Sequence, residues 1–453
     1  MNRRDMIKTL PLLSTVFYSL PRNAASEITA SQPLCLEYLN RVTGIIEKIR
    51  NTELDNMLEA SYNIARTYKS GNTCFCQWET GHSFDGDMFP DRPGDTDIFT
   101  MGYTMGTPAV EPKNGDLLLV NVLRKPLDDP RQKGIFVIGG PTPWCGDTAN
   151  TELLTEANRQ LQIKKYSDIW IETYITTRGA LMWLPGETTP LGPTSGALGI
   201  VTYWAMIADA VRLLVKDNIF VKVKGDEPAL PDTAPYINLN QPTAESYINE
   251  SLRQISQIGA EYGTIKRIAQ NAADCILSGG KLYVYSRHHE ALSQEAQGKR
   301  GGLALINTTF ADDTKFAGTG KDFMIMGIYL PDDEVDLNML DTCRKSGMKI
   351  AAIGPATRDD KLPEGRTVPH EADYHLGLMC DTYGIFAVQG VDKKICPSSG
   401  LLVNLMFWAT MIELAEEILR RTGNTPAVLS TGALVGGGEQ RRRSTEKVKM
   451  RGY

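Results

Sequence analysis

The sequence contains little of what several classes of function require. It has only five histidines in 453 residues, and it contains neither an HExxH nor a CxxC spacing. Its formal net charge is −6, and no basic face with interleaved aromatics is present. We therefore expect no metal, no cofactor and no nucleic-acid partner.

The N-terminus has the order of an export signal. Arg3 and Arg4 precede an apolar stretch from Thr9 to Leu20, and small residues follow around Ala25. The paired arginines favour the twin-arginine route. Because the apolar stretch is too short for a permanent anchor, we predict no membrane span. Residues 1–25 are thus predicted to be a twin-arginine export signal, and the mature protein to be periplasmic or extracellular.

The cysteine pattern argues against a disulfide framework, although the chain has eight cysteines. Cys74 and Cys76 are two residues apart in a strand-like run and therefore point to one face. The other cysteines are scattered among apolar neighbours. We expect buried free thiols, as suits a chain that the twin-arginine route exports already folded.

An internal repeat organises the chain. Residues 38–71 and 247–280 have equal length, begin with tyrosine, end with glycine and are predicted to be helix pairs. A short strand follows each segment, "NTCFCQW" or "KLYVYS", and then a loop with histidine. Of the five histidines, three lie in these two matching loops: His82, His288 and His289.

The repeat continues downstream and predicts the fold class. "GDLLLVNVL" matches "KDFMIMGIYL", "KGIFVIGG" matches "GMKIAAIGP", "DIWIETY" matches "DYHLGLM", and "GPTSG" matches "CPSSG" before a long apolar helix. Alternating strands and helices predict an α/β fold with doubly wound parallel sheets. We predict a first domain over 33–224, a proline-rich linker over 225–242 and a second domain over 243–453.

The order of these motifs, found twice, resembles the SIS (sugar isomerase) domain family. The resemblance rests on "ETGHS" at residues 79–83, on Glu295 before "RGG" at 300–302, and on "PSSG" at 397–400, and it covers nearly all of the mature chain. It implies two flavodoxin-like units in tandem with a small-molecule carbohydrate bound between them. The first copy departs from the pattern after "GHS", and the second has "SRHHE" in place of "GTGHS".

The resemblance also implies where the chemistry would lie. Isomerisation of an aldose needs a base beside the sugar, and Glu295 is the candidate, with Asp87 or Glu79 in the equivalent place of the first copy. A solvated helix glutamate is the alternative for Glu295. The histidines could move a proton on a ring oxygen or be hydrogen-bonded loop residues. The candidate catalytic residues are Glu295, His289 and His82.

Helix starts supply a second group of candidates. Thr194 and Ser195, like Ser398 and Ser399, stand directly before or at the start of a long helix. Hydroxyls and free N–H groups there could hold an anion or a sugar hydroxyl, or could simply cap the helix. The candidate substrate-binding residues are Glu79, Thr80, Ser83, Arg287, His288, Thr194, Ser195, Ser398, Ser399 and His375, with His370 as an alternative to His375.

One absence bears on the substrate. Phosphosugar-binding members of the family that this chain resembles carry a serine- and threonine-rich loop after the second core strand. Here those positions read "NVLRKPLDDP" and "GIYLPDDEVD", which supply no serine or threonine hydroxyls and, in the second copy, add four carboxylates that would repel a phosphate. We therefore expect a sugar that is neutral or differently charged.

Three functions fit the sequence. The first is an isomerase-like proton transfer through Glu295, and the second is a lyase in which the same carboxylate starts an elimination. The third is a sugar-binding protein without catalysis, which the altered first copy favours. A homodimer formed through the long apolar helices is a further expectation.

Overall fold

The structure, a computed structural model, describes most of the chain beyond residue 31. The described residues are 32–76, 94–101, 111–121, 129–140, 151–161, 163–225, 236–287, 292, 295–296, 301–309, 316–356, 364–377, 384–391 and 393–453. Residues 34–453 form one compact unit. The predicted export signal and residues 226–235 of the predicted linker lie outside the described residues.

The first half is built from two long helices around a parallel sheet. Its elements are α1 (Leu34–Lys69), β1 (Cys74–Cys76), β2 (Phe99–Met101), β3 (Leu117–Val120), β4 (Phe136–Gly139), α2 (Glu156–Arg159), β5 (Ile169–Trp170), the hairpin strands β6 (Ala180–Met182) and β7 (Leu191–Pro193), and α3 (Ser195–Lys216). The five-stranded sheet has the order β2-β1-β3-β4-β5, and its neighbouring strands are parallel.

The second half repeats this plan. Its elements are α4 (Thr243–Ile258), α5 (Tyr262–Leu277), β8 (Leu282–Ser286), β9 (Ile306–Thr309), β10 (Phe323–Gly327), α6 (Glu334–Lys345), β11 (Lys349–Gly354), α7 (Val368–Glu371), β12 (Tyr374–Gly377), α8 (Ser399–Thr422) and α9 (Gly437–Arg451). The sheet has the order β9-β8-β10-β11-β12 and is again parallel.

Both sheets therefore have the strand order 2-1-3-4-5, which is the flavodoxin-like order of a doubly wound sheet. Each sheet is also covered on both faces. One face of each contributes to a single large core that contains α1, α3, α4, α5 and α8, whereas the opposite faces belong to two separate smaller cores. The predicted α/β fold with two flavodoxin-like doubly wound sheets is confirmed.

Matching aspartates hold the start of each sheet. Asp116 accepts hydrogen bonds from the backbone N–H groups of Thr73 at 2.9 Å and Lys113 at 2.7 Å. Asp322 accepts in the same way from Lys281 and Thr319, both at 2.7 Å. Each aspartate thus ties the turn before its own strand to the turn before the neighbouring strand. The equivalence supports the repeat at the level of single side chains.

The repeat is less regular in its first helices. The sequence predicts a helix pair in each half, but α1 is one continuous helix of 36 residues. In the second half, a 3₁₀ turn over Gly259–Glu261 separates α4 from α5. Glycine lowers helix stability, and the second copy has Gly259 and Gly263 where the first copy has Arg50 and Leu54. The prediction of a helix pair in the first half is therefore wrong.

The two long apolar helices form the centre of the core. Nearly every residue of α3 and α8 is buried. Tyr203 packs edge-on against Trp204, and Phe407 packs in the same way against Trp408, with ring centroids 4.7 and 4.9 Å apart. Both pairs belong to the large core.

The burial of these helices bears on two expectations. In the described part of the chain, only α3 is long and apolar enough to cross a membrane, and 94% of its most apolar window is buried in the protein. It is therefore a core helix. Because α3 and α8 are covered within the chain, they do not offer the face through which a homodimer was expected to form.

The described cysteines agree with the expectation from their spacing. Six of them are free and buried: Cys35, Cys74, Cys76, Cys275, Cys343 and Cys396. Cys74 and Cys76 belong to the same core, as their two-residue spacing predicts. Cys145 and Cys380 lie outside the described residues.

Candidate functional site

The strand order locates the crevice in which such sheets bind ligands. In each sheet the second strand lies on one side of the first strand, and the third strand lies on the other side. The strand order therefore reverses between β1 and β3 and between β8 and β10. Open α/β sheets bind ligands outside the carboxyl ends of the strands at this switch point. The loops after β1 and β3 lie outside the described residues, as do Glu79, Thr80, His82, Ser83, His288 and His289.

The starts of the two long helices carry equivalent hydroxyls. Thr194 and Ser398 are the N-cap residues of α3 and α8, and both are completely buried. Neither side chain caps its own helix, and neither hydroxyl has a hydrogen-bond partner among the described residues. Buried hydroxyls nearly always have a partner, so these two hydroxyls are candidate contacts for a ligand.

Buried tyrosines fix both helix starts. The hydroxyl of Tyr38 donates to the carbonyl of Pro193 at 2.8 Å, and that of Tyr247 donates to the carbonyl of Pro397 at 3.2 Å. Each tyrosine lies near the beginning of the first helix of its half. The two helix starts are thus held in the same way by the same part of the repeat.

Glu295 joins the two halves at these helix starts. It is 1% exposed, and its carboxylate accepts four hydrogen bonds. Oε1 accepts from the Ser195 hydroxyl at 3.1 Å and from the Gly196 N–H at 2.9 Å, both at the N-terminus of α3. Oε2 accepts from Asn404 at 3.0 Å and from the indole N–H of Trp408 at 2.9 Å, both in α8.

The electrostatics of Glu295 follow from this position. Burial raises the pKa of the Glu295 carboxyl, and the four hydrogen bonds act in the opposite direction. The N-terminus of α3 also favours a negative charge. Because a carboxylate has about four acceptor positions, the four donors occupy all of them. Of the two interpretations of the sequence, the solvated helix glutamate is wrong, since Glu295 is buried between α3 and α8.

The repeat shows what is particular to Glu295. Trp408 has an equivalent in the first half, Trp204, but Asn404 is replaced there by Ile200. An isoleucine side chain cannot donate a hydrogen bond. The first half therefore has no counterpart of the Asn404 donor that contacts Glu295. Neither Asn404 nor Trp408 is among the site residues predicted from the sequence. The difference between Asn404 and Ile200 within the repeat was the available signal.

Gly301 brings the loop of Glu295 against the first half. Its φ is +73°, a left-handed conformation that favours glycine, and an added Cβ would lie 2.5 Å from the Cβ of Ala180. Its carbonyl accepts from Gly192 N–H at 3.0 Å, directly before α3. The equivalent bond runs from Cys396 N–H to the carbonyl of Gly94 at 3.1 Å. Each half therefore contacts the helix start of the other.

The second switch point is occupied by charged side chains. Arg287, which follows β8, donates through Nη1 to both carboxylate oxygens of Asp333 at 3.1 Å. Asp336, in the first turn of α6, accepts from the hydroxyl of Tyr285 at 2.8 Å. Burial and the neighbouring Asp333 raise the pKa of Asp336 to about 7. Arg287 thus contacts Asp333 rather than Glu295.

The remaining histidine candidates lie at the far edge of the second sheet. His375 is on the edge strand β12, and its Nε2 is 3.0 Å from the carbonyl of Gly354. Burial lowers the pKa of His375. A neutral ring bonded to a carbonyl must donate through Nε2, which leaves Nδ1 as an acceptor. His370 is in the short helix α7 beside this edge, and neither ring contacts Glu295.

The described residues therefore bring together only part of the predicted site. Glu295, Thr194 and Ser195 meet at the start of α3, and Ser398 and Ser399 form the equivalent start of α8. Within the described ranges, no group of three or more histidine, cysteine, aspartate or glutamate side chains could hold a metal ion.

This fold and these helix starts define an α/β protein with two doubly wound sheets that share one core. No family model matches the chain, and no curated protein matches it. Solved structures do match. The C-terminal domain of glucosamine-fructose-6-phosphate aminotransferase from Francisella tularensis is 9% identical over 88% of this chain and 99% of that chain, with a TM-score of 0.48.

Two further structures match at a similar level. A candidate phosphosugar isomerase from Clostridium difficile 630 is 11% identical over 84% of this chain and 93% of that chain, with a TM-score of 0.46. A candidate sugar-binding protein from Salmonella typhimurium LT2 is 12% identical over 72% and 92%, with a TM-score of 0.43.

Proposed function

We propose that the chain is a tandem SIS protein that binds a carbohydrate in the crevice bordered by the starts of α3 and α8. The observation that carries the proposal is the pair of equivalent, buried hydroxyls of Thr194 and Ser398, which have no partner among the described residues. The sequence resemblance supplies the ligand class. The order of both sheets supports a ligand at the carboxyl ends of their strands.

A carbohydrate suits this arrangement for a physical reason. A buried hydroxyl without a partner costs about 1–3 kcal/mol, which a ligand hydroxyl can recover by accepting or donating one hydrogen bond. The N–H groups at a helix start are donors that favour oxygen atoms. Since two such starts are related by the repeat, a ligand with several hydroxyls can contact both.

A thermal-shift screen with a matched variant tests this proposal. Free sugars, sugar acids, amino sugars and their phosphate esters are compared, because a ligand that binds only the folded state raises the melting temperature. We expect Ser398→Ala to weaken binding of the best sugar at least about tenfold. The control is Ser251→Ala, which removes another buried hydroxyl without a partner among the described residues, this one within α4. Equal effects of the two variants, or no stabilisation by any sugar, would contradict the proposal.

Proton transfer through Glu295 is the catalytic form of this function. We propose an isomerase-like transfer first and a lyase-like elimination second, with His82 and His289 as further candidates. A carboxyl whose pKa is raised by burial is a suitable base near neutral pH. Because all four acceptor positions of Glu295 are occupied, the proton would pass through the Ser195 hydroxyl that contacts it.

The same four hydrogen bonds favour the other candidate function, a sugar-binding protein without catalysis. A carboxylate held by four donors is well placed to brace two helices. Glu295→Gln separates the two functions. Loss of turnover by more than about 100-fold with sugar binding kept supports catalysis. A wild-type protein that binds a sugar but does not convert it supports binding alone.

We also propose that the protein is exported through the twin-arginine route. The signal at Arg3 and Arg4 motivates this proposal, and the six free, buried cysteines suit a chain that folds before export. Fractionation of cells tests it with the double substitution Arg3→Lys and Arg4→Lys. Retention of this variant in the cytoplasm is expected, and equal export of both forms would contradict the route.

A further inference from the structure

Two charged residues stand at the switch point of the second sheet. Arg287 directly follows β8, and Asp333 is the N-cap of α6, which follows β10. Since β8 and β10 are the neighbouring strands between which the order reverses, the pair spans the crevice in which a doubly wound sheet presents its ligand.

The backbone N–H groups and the guanidinium that could bind an anion at this switch point already bind the carboxylate of Asp333. The N–H groups of Val335 and Asp336 donate to Oδ1 of Asp333 at 2.9 and 3.0 Å. The Arg287 guanidinium donates to the same carboxylate. A helix N-terminus beside an arginine is an anion site, and here the protein's own carboxylate fills it.

A second carboxyl faces the same switch point. Asp336 is 1% exposed, and its Oδ2 has no hydrogen-bond partner among the described residues. The Tyr285 hydroxyl, at the end of β8, reaches only Oδ1. A buried carboxyl oxygen without a donor can accept a hydrogen bond from a hydroxyl and opposes a further negative charge.

We infer that Asp333 is a specificity-determining residue that excludes phosphorylated and other anionic sugars from the second switch point, where an uncharged carbohydrate binds instead. This inference rests on the proposed function, because it concerns the ligand of the same crevice. Arg287 contributes by holding the Asp333 carboxylate in place. The sequence showed only that hydroxyls are missing here; the geometry adds that an internal anion has taken the position.

The test compares two serine substitutions in α6 with inorganic phosphate as the probe. Asp333→Ser removes the internal anion but keeps a good N-cap residue. Asp341→Ser is the matched control, since it removes one carboxylate from the exposed part of the same helix, where Asp341 pairs with Arg366. We expect the first variant to bind phosphate at least about tenfold more tightly than the wild type at constant ionic strength, and the second to be unchanged. Equal phosphate affinity of the two variants would overturn the inference.

A comparison on the wild-type protein does not depend on any variant. Each free sugar that raises the melting temperature is paired with its own phosphate ester. We expect the ester to bind at least about tenfold more weakly than the sugar. A preference for the ester would overturn this inference while supporting carbohydrate binding. No stabilisation by either compound would instead contradict the proposed function.

Discussion

At the scale of single residues, burial determines how each carboxyl of the site behaves. Glu295 and Asp336 are equally inaccessible to solvent, but among the described residues Glu295 accepts four hydrogen bonds whereas Asp336 accepts one from a side chain. A carboxylate with four donors is stabilised in its charged form. A buried carboxyl with one donor favours its neutral form, so its ionisation should lower the free energy of unfolding.

Asp336→Asn tests this difference. Because the pKa of Asp336 is raised from 3.8 to about 7, its contribution to stability is complete below pH 3.8 and is lost as the pH rises through 7. Asparagine does not ionise, so the stability of the variant does not fall in this way as the pH rises. We expect the stability difference in favour of the variant to grow by about 3 kcal/mol between about pH 5 and about pH 8.5.

Urea unfolding at several pH values measures this difference. Asp341→Asn is the control, because Arg366 lowers the pKa of Asp341, and the removal of that pair should not favour the variant at high pH. A difference between Asp336→Asn and the wild type that does not change with pH would contradict the prediction.

The sequence placed Glu295 near the ligand crevice but could not supply its partners. Asn404 and Trp408 follow it by 109 and 113 positions, and only the packing of α8 against the first half brings them to it. Periodicity marks such residues as buried but does not say what they face. The predicted hydroxyls at residues 194 and 398 were easier to locate, because the repeat marks both helix starts.

At the scale of elements, the repeat in the sequence predicted strands and long helices correctly because it fixed their order twice. β3 and β10, β4 and β11, and β5 and β12 all occupy the positions that their matched segments imply. The division of α1 was predicted wrongly because the apolar spacing is the same in one long helix and in a helix pair. Gly259 and Gly263, which are present only in the second half, account for the break between α4 and α5.

The equivalent helix starts lead to a prediction about two tyrosines. Tyr38→Phe and Tyr247→Phe each leave a buried proline carbonyl without its donor, so each should lower the free energy of unfolding by about 1 kcal/mol. Denaturant unfolding with an unchanged slope measures both. Tyr68→Phe, whose exposed hydroxyl contacts Asp97, should cost less than about 0.5 kcal/mol. A cost for Tyr38→Phe no larger than this control would contradict the role of the contact.

At the scale of the whole molecule, the two sheets depend on one core. The inner face of each sheet packs against helices that belong to a single buried cluster, and backbone hydrogen bonds cross between the halves at Gly192 and Cys396. Neither half can therefore bury its long helix alone. Sequence reasoning divided the chain into two domains, but it had no means of measuring how much they share.

This shared core predicts that the halves unfold together. We expect a single transition in calorimetry, with equal calorimetric and van't Hoff enthalpies. The fragment 243–453 should expose apolar surface and bind a hydrophobic dye, because it lacks the packing of α1 and α3 against α8. Two separate transitions, or a well-folded fragment, would contradict this prediction.

The contrast between Asn404 and Ile200 has a consequence for the history of the protein. In an assembly of two identical chains, every substitution appears twice, so one location cannot gain a polar side chain while its counterpart keeps an apolar one. Once two copies are fused in one gene, each position can change independently. The Asn404 side chain that donates to Glu295, with Ile200 at the matching position, is an asymmetry of this kind.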